Sequence, residues 1–444
     1  MDIESAIRDV VVRLSVQSLD AYEVLGLCEE TLTIETKQQM LERIHRAHRS
    51  GISIRTIKDG RMGLAATKEL TIKAVHQSMK EALDSMHNME PSEGASLPYT
   101  QEESVLEEKC SRPLYEISED EKINLARRLE SIALSSEKKV TKVQHPRYEE
   151  VARTLMVVNS HDICVKSQRS LASCDLRVVA DDGYSAESAY ELDYSTSFDR
   201  LDAEQIAHRA AKRAVAKLGA RSVPGGRFPV MLSPRAAAAM VKLISSSFFA
   251  DNVQRGKSIL RGKLGECFYD PSVTIVDDGL LPDGYASFQF DWEGVPRRRT
   301  MMVRDGTVVS WLYDGARAAR DGVKSTGNCL RAGLTKLPGV GISNCFLKAG
   351  SNSYESMISG VDKGVLATDL LGLHTANPIS GDFSLGLEGF IIEAGAVGDP
   401  VRGVTIAGNI HELFKNVLCV GNDLEFFGAC GAPSLLVKGL MLGG

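Results

Sequence analysis

The sequence predicts an α+β protein in which two small α+β subdomains precede a large, mainly antiparallel β-rich domain. Over the first half of the chain, helical spacing of apolar residues alternates with hairpin patterns. The second half is dense in glycine and in short runs of β-forming residues. At 444 residues the chain also exceeds what one hydrophobic core usually supports, so we expect several domains.

The first predicted subdomain covers residues 1–89. Apolar residues from Ile3 to Leu14 recur at helical spacing, and two extended runs follow at 21–28 and 31–36. Within residues 52–57, apolar and polar side chains alternate as far as Arg55, and the turn sequence Lys58-Asp59-Gly60 follows, which predicts a hairpin. Helical spacing returns over residues 70–87.

The second predicted subdomain covers residues 113–221, after a linker at 90–112 whose first part is rich in Pro, Ser, Gly and Glu. Ser118 and Glu121 form a capping box at the start of a helix. Hairpin turns are expected at 159–162 and 181–183, followed by a helix that starts at Asp202 and ends at Gly219. Hairpins followed by a helix thus occur twice, which suggests a duplicated unit.

The third predicted domain covers residues 222–444 and begins with the boundary sequence Ser-Val-Pro-Gly-Gly at 222–226. One Ala-rich helix is expected over 234–249. Short strands are expected at 273–276, 300–303, 308–312 and 390–393. This pattern is typical of a large antiparallel sheet or a partly closed barrel.

Composition excludes several classes of function. A formal net charge of −6 argues against direct binding of nucleic acid, and we expect the short basic run at 297–299 to be a solvated strand end. The nine cysteines show no pairing pattern. Because no leader pattern and no apolar stretch of about 20 residues is present, we expect a cytoplasmic protein without a membrane span.

Catalytic motifs are not evident in the sequence. His411-Glu412 begins like a zinc-peptidase motif, but Lys415 stands where the second histidine would fall, so a surface helix or turn start is expected there. His45 and His48 lie among arginines, which disfavours a zinc ion. A nucleophilic site built from distant residues stays open, since its members need only be close in space.

Nine short motifs distributed over the C-terminal half resemble those of the TldD/PmbA family, whose members are often named modulators of DNA gyrase and are regarded as peptidases. The motifs lie at residues 262–266, 277–279, 293–296, 326–328, 368–372, 380–384, 388–389, 421–423 and 443–444. The resemblance implies a subunit that pairs with a sister subunit and encloses a cavity where unfolded polypeptide is held extended and cut.

One departure from the family pattern is informative. In TldD-type members the helix before the Gly-Lys-Leu-Gly-Glu motif carries His-Glu-x-x-x-His, and a cysteine near the C-terminus completes a zinc site. Here residues 239–249 contain neither His nor Glu, and the C-terminal region is too short for the cysteine-bearing loop, although Cys430 lies close by in sequence. The chain therefore resembles the PmbA/TldE branch, and we expect no catalytic residues, no metal and no cofactor of its own.

The resemblance implies a non-catalytic subunit that binds and positions unfolded polypeptide for a zinc-bearing TldD-type partner, or that pairs with itself. The alternatives are an autonomous peptidase with an unidentified site and a regulator of gyrase-related proteins. Whether the chain is itself an enzyme stays open. The candidate peptide-binding residues are Ser380, Gly381, Asp382, Phe383 and Ser384.

Overall fold

The computed structural model describes residues 1–92, 95–99 and 113–444, so much of the predicted linker at 90–112 lies outside the described residues. The N-terminal half consists of two units with the same order of elements, helix, three strands and helix. The first unit contains α1 (Ile3–Leu14), β1 (Ala21–Lys37), β2 (Met40–Lys58), β3 (Arg61–Thr67) and α2 (Ile72–His87). The second contains α3 (Glu119–Ser136), β4 (Val140–Asn159), β5 (Cys164–Asp181), β6 (Ala186–Ser195) and α4 (Ala203–Ala216). The predicted duplication is confirmed at the level of topology.

Local signals located most of these elements correctly. Ser118 caps α3 and Glu121 completes the capping box, as predicted. Asp202 caps α4, and Gly219 follows that helix with a positive φ of 77°. The hairpin turns near 59–60, 160–163 and 182–185 are also present. The two extended runs predicted at 21–28 and 31–36 were wrong as separate strands, because β1 continues through both and pairs with β2 along its whole length.

The six strands of both units form one sheet in the order β3-β2-β1-β4-β5-β6. Antiparallel pairing of β1 with β4 joins the two units, with Glu23 opposite Asn159 and Glu35 opposite Arg147. Apolar side chains such as Val24 and Ile54 pack under α1 and α2. Leu25 and Val157 point to the other face, where they contact Phe290 of the C-terminal domain.

The C-terminal domain contains two further six-stranded sheets and five short helices. Its elements are β7 (Gly226–Leu232), α5 (Pro234–Ser245), α6 (Ala250–Gln254), β8 (Ile275–Asp278), β9 (Arg299–Arg304), β10 (Thr307–Val308), α7 (Gly315–Asp321), β11 (Cys329–Leu330), β12 (Gly339–Val340), β13 (Cys345–Leu347), α8 (Tyr354–Ser359), β14 (Lys363–Leu371), β15 (Asp382–Glu393), β16 (Ala396–Asn409), α9 (Ile410–Lys415), β17 (Val417–Val420), β18 (Glu425–Phe427), β19 (Cys430–Ala432) and β20 (Leu435–Gly443).

One of these sheets closes on itself. Its order is β16-β15-β14-β7-β20-β17, and an additional pairing of β16 with β20 makes a ring of five strands. The other sheet has the order β10-β9-β8-β13-β19-β18. Helix α5 contacts strands of both sheets, so the largest hydrophobic core surrounds it. The predicted antiparallel, partly closed architecture is confirmed, apart from parallel pairing of β7 with β14 and of β13 with β19.

Three local predictions in this domain were wrong. The helix expected over 234–249 ends at Ser245 and passes into a 3₁₀ turn, Ser246–Phe248. Regular pairing of the strand expected at 308–312 stops after Val308. In the run at 297–299, Arg298 and Arg299 are exposed beside the start of β9, as predicted, but Arg297 is 4% exposed because it lies under the contact between the C-terminal domain and the N-terminal sheet. In the described part of the chain, no helix is long and apolar enough to cross a membrane.

A fully buried cluster of four charged side chains joins the N-terminal sheet to the C-terminal domain. Arg55 of β2 donates to Glu23 of β1 and to Glu293 of the C-terminal domain, at 2.7 Å in each case. Arg331 donates to the other oxygen of Glu23. The second oxygen of Glu293 accepts the backbone N–H of Gly315 at 2.8 Å. Burial would raise the pKa of Glu293, but Arg55 lowers it overall, so the carboxylate stays ionised.

A second cluster joins α4 and β6 to the C-terminal domain. Glu191 of β6 pairs with Arg213 of α4 and with Arg235 of α5, the latter at 2.7 Å. Arg213 also donates to both oxygens of Asp369 on β14 at 2.8 Å, and Lys217 lies 3.3 Å from the same carboxylate. Burial opposes the effect, yet these cations lower the pKa of Asp369. Two separate ionic contacts therefore fix the orientation of the sheet on the C-terminal domain.

We predict that Arg55→Met lowers the free energy of unfolding by about 3–5 kcal/mol, because it leaves two carboxylates buried without their shared cation. Urea unfolding measures this change. Arg43→Met is the matched control, since Arg43 pairs with Glu35 on the same strands but its side chain is 61% exposed. That variant should lose at most about 1 kcal/mol. Equal losses in the two variants would contradict the assigned role of the buried cluster.

Candidate functional site

Helix α5 is the element in which the zinc ligands of a TldD-type protein would be expected. Ser233 caps the helix by accepting the N–H of Ala236, and Pro234 occupies its first turn. Met240, Val241 and Ile244 face the core and are 0% exposed. Their apolar side chains fill the space between the two C-terminal sheets. They supply neither a zinc ligand nor a general base.

A buried histidine packs against the end of α5. His411, in the first turn of α9, is 1% exposed, which corrects the predicted surface position. Its Nδ1 lies 2.9 Å from the hydroxyl of Tyr269, and its Nε2 lies 3.3 Å from Oγ of Ser247. Asn409 caps α9 by accepting the N–H of His411. The short predicted helix is therefore present, but its histidine points inward.

The electrostatics of this histidine favour a structural role. Burial first, and Lys415 second, lower the pKa of His411 to about 4, so the ring is neutral near pH 7. Burial also raises the pKa of Tyr269, which keeps its proton. A neutral imidazole has one donor and one acceptor nitrogen, and both nitrogens here already have a hydroxyl partner. No lone pair is left for a metal ion, and Ser247, 4% exposed, is closed to a polypeptide.

One of the five candidate peptide-binding residues, Gly381, lies directly against this histidine. Gly381 has a φ of +80°, and a Cβ at this position would lie 2.9 Å from Cδ2 of His411. Only glycine allows the turn to approach the ring so closely. Phe383 is buried in the domain core, whereas Asp382 and Ser384 are exposed at the start of β15. The structure thus brings the candidate turn and α9 together, next to the end of α5.

Hydrogen bonds within the turn involve the same polar groups. Asp382 accepts from the hydroxyl of Ser380 at 2.7 Å and from the side-chain amide of Asn409 at 2.9 Å. Asn409 and then Ser380 lower the pKa of Asp382, so it is a carboxylate at neutral pH. On one side Asp382 pairs with Asn409 of β16, but the register of β15 with β14 begins only at Gly386. In the described residues, the first positions of β15 therefore have one edge outside the strand ladder.

Several other family-type motif residues stabilise loops. Asp277 accepts from the side chains of Asn328 and Ser343 at 2.7 and 2.6 Å, while all three are buried. Asp423 accepts both the hydroxyl and the backbone N–H of Ser434. Glu293 belongs to the buried ionic cluster. These contacts explain the motif residues without a ligand.

Two cysteine positions bear on metal binding. Cys430 lies on β19, which packs against α5, and burial raises its pKa to about 12, so it remains a thiol. Cys28, Glu30 and His48 place one ligand atom each within 4.8 Å of one another, which is the one such group among the described residues. This group lies on β1 and β2, not on the C-terminal domain. Burial and Glu30 raise the pKa of Cys28, and Glu30 and His48 are largely exposed.

Comparison with known proteins identifies, along nearly the whole chain, the family that the C-terminal motifs resemble. Residues 29–89, 112–218 and 225–444 match the models for domain 1, the central domain and the C-terminal domain of PmbA/TldA metallopeptidases. The chain is 27% identical over 432 residues to metalloprotease PmbA of Escherichia coli O157:H7, covering 96% of this chain and 92% of the relative.

Two solved structures share the fold. A Thermotoga maritima protein named as a modulator of a DNA gyrase aligns with a TM-score of 0.91 and 26% identity, covering 100% of both chains. TldE from Thermococcus kodakarensis aligns with a TM-score of 0.87 and 23% identity, covering 99% of each chain. The α+β class with a β-rich C-terminal domain is therefore confirmed.

We predict that His411 makes folding stability depend on acid pH. Its folded pKa of about 4 lies below the ordinary value of 6.5, so only the unfolded state takes up the proton between these values. The contribution of neutral His411 to the free energy of unfolding is therefore present in full above about pH 6.5, and it decreases as the pH falls toward 4. Between pH 6.5 and pH 5 the wild type should lose about 2 kcal/mol more than His411→Phe in urea unfolding.

The exposed His374 supplies the matched control for this comparison, since its side chain lies on the surface after β14. His374→Phe should follow the wild type over the same pH range. A pH dependence that is identical in wild type and His411→Phe would show that burial does not suppress protonation of this ring.

Proposed function

This chain belongs to the PmbA/TldD metallopeptidase family, and we propose that it is a subunit of the PmbA/TldE type within that family. In this role it has no zinc site of its own and helps to hold unfolded polypeptide for cleavage by a zinc-bearing, TldD-type partner. We place it in the cytoplasm, because the cysteines that the structure describes are free thiols.

The observation that carries the proposal is the composition and packing of α5. The family resemblance places His-Glu-x-x-x-His on this helix in TldD-type members. Here its core-facing positions are apolar and fully buried between two sheets. The nearby His411 and Cys430 do not substitute, because one has both ring nitrogens occupied and the other is a protonated thiol.

An autonomous peptidase would require a reactive group that a polypeptide can reach. Among the residues that the structure describes, two serines lie within hydrogen-bonding distance of a histidine, as a serine nucleophile would require. Ser247 and His411 are buried, and Ser136 and His208 lie between the surfaces of α3 and α4, where the hydroxyl of Ser136 is also 2.6 Å from the carbonyl of Ile132. Neither contact combines an accessible nucleophile with a free base. The subunit role therefore requires fewer unexplained features.

The turn at 380–384 supports a role in holding peptide. The side chains of Asp382 and Ser384 are exposed, so an extended chain can bond to them. The adjacent backbone of β15 lies outside the β14 ladder, where the carbonyls of Asp382 and Ser384 accept from the N–H of Asn377 and the hydroxyl of Thr375. The turn is connected to the end of α5 by two contacts. Gly381 packs against the ring of His411, and that ring lies 3.3 Å from the hydroxyl of Ser247.

We predict that the chain binds no zinc through α5. Elemental analysis of protein purified without chelators should give a substoichiometric zinc content, and Cys28→Ser should remove any zinc held by the Cys28, Glu30 and His48 group. One tightly held zinc per chain in the Cys28→Ser variant would contradict the proposal.

The same preparation tests the dependence on a partner. Peptide cleavage should appear only when a TldD-type protein is added, and the two chains should then coelute in gel filtration. Cleavage by this chain alone, at a rate unchanged by chelator, would instead favour the autonomous peptidase.

We predict that replacing Asp382 and Ser384 by Ala weakens peptide cleavage in the reconstituted assembly by about fivefold or more, since each lost hydrogen bond is worth about 1 kcal/mol. Zinc content and complex formation should stay unchanged. Asn409→Ala is the control, because it leaves the carboxylate in place while it removes the hydrogen bonds of the amide to Asp382 and Ser380 and the cap of α9. An equal loss of cleavage in Asn409→Ala would show that Asp382 acts only by closing the turn. Loss of complex formation would show that these residues lie at the subunit interface.

A further inference from the structure

A cleft of about 420 Å³ lies between the outer face of the N-terminal sheet and the C-terminal domain. Leu155 and Leu171 of β4 and β5 form one wall. Phe288, Phe290 and Trp292 form the other, with the rings of Phe288 and Phe290 packed edge to face at 5.7 Å. The volume falls in the range of sites that bind small ligands, about 300–1,000 Å³.

The charged side chains that line this cleft are all positive. Arg153, Arg169 and Arg297 line it, and no carboxylate does so among the described residues. Two of these guanidinium groups have partners. Arg153 pairs with Glu29 at 2.7 Å and lies 5.9 Å from the ring centre of Trp292. Arg169 donates to the backbone carbonyl of Gly284 at 2.7 Å.

Arg297 differs from the other two. It is 4% exposed, and in the described part of the chain its Nε and Nη1 have no hydrogen-bond partner. Asp291 and Asp277 favour its charged form electrostatically, but their hydrogen bonds go elsewhere: Asp277 accepts from Asn328, and Asp291 accepts the backbone N–H of Cys329. A buried guanidinium without hydrogen bonds is costly, which is a reason to expect an anion to complete it.

We infer that this cleft binds a carboxylate attached to an apolar group, with Arg297 as the anion-binding residue and the aromatic wall holding the apolar group. A guanidinium fork matches a carboxylate, and one arginine with two N–H groups that lack hydrogen-bond partners favours a monoanion. Identifying the ligand as the C-terminal residue of a polypeptide rests on the proposed function. The carboxylate preference itself does not, since it follows from the lining of this chain alone.

Binding is tested on the full-length chain without a partner. The probes are N-acetyl-Ala-Phe with a free carboxylate, the same dipeptide as its amide, and phenyl phosphate. Trp292 lines the cleft and the other tryptophan, Trp311, is buried in the C-terminal core, so quenching that disappears in Trp292→Phe reports on the cleft. The free acid should bind at least about tenfold more tightly than the amide.

Arg297→Met should reduce acid binding to the level of the amide, whereas Arg298→Met, at the exposed neighbouring position, should bind like the wild type. Equal binding of acid and amide by the wild type, tighter binding of phenyl phosphate, or full acid binding by Arg297→Met would each overturn the inference. If Arg297→Met does not fold, the comparison of acid with amide on the wild type decides. If the wild type does not prefer the acid over the amide while a reconstituted assembly still cleaves peptide, the cleft assignment is wrong and the proposed function is unaffected.

Discussion

The contact of Arg55 with Glu23 and Glu293 is the constraint on which the remaining structure depends. None of these groups reaches solvent, and each obtains its counter-charge only when the N-terminal sheet lies on the C-terminal domain in one orientation. An ion pair of this kind adds little net stability compared with apolar residues, but a misplaced sheet would bury uncompensated charges at a high cost. The cluster therefore acts mainly by excluding alternative arrangements. The cleft lined by Arg297 exists because that orientation is fixed.

The sequence was informative wherever structure depends on neighbouring residues. The capping box at Ser118, the turn after Lys58 and the stop at Gly219 are local signals, and the structure contains all three. Burial depends instead on distant parts of the chain. Arg297 stands in a basic run that resembles a surface segment, yet it is buried between Gly279 of its own domain and the cleft under the N-terminal sheet. His411 follows an ordinary helix cap, and its burial depends on Tyr269 and Gly381, far away in sequence.

The sequence contained one sign of the buried ionic cluster, an arginine between isoleucines of one strand. Arg55 interrupts a strand whose neighbours Ile52, Ile54 and Ile57 are apolar. Alternation of apolar with polar residues is typical of a strand with one solvated face. Both faces are in fact covered, one by helices and one by the C-terminal domain, so the arginine required buried partners. One partner, Glu23, lies directly opposite on β1, and the other, Glu293, lies on a loop of the C-terminal domain whose position no strand period predicts. The candidate turn at 380–384 was found through its motif, whereas the cleft has no sequence motif at all.

The pairing of β1 with β4 has a consequence for synthesis of the protein. More than a hundred residues separate the two strands, and β1 lies at the centre of the finished sheet. On a ribosome that adds about 5–20 residues per second, β1 waits on the order of ten seconds for its second neighbour. During that interval a long hairpin presents an unpaired inner edge to other nascent chains. The chain is then most exposed to aggregation before its second repeat emerges, and chaperones that cover strand edges would act in this window.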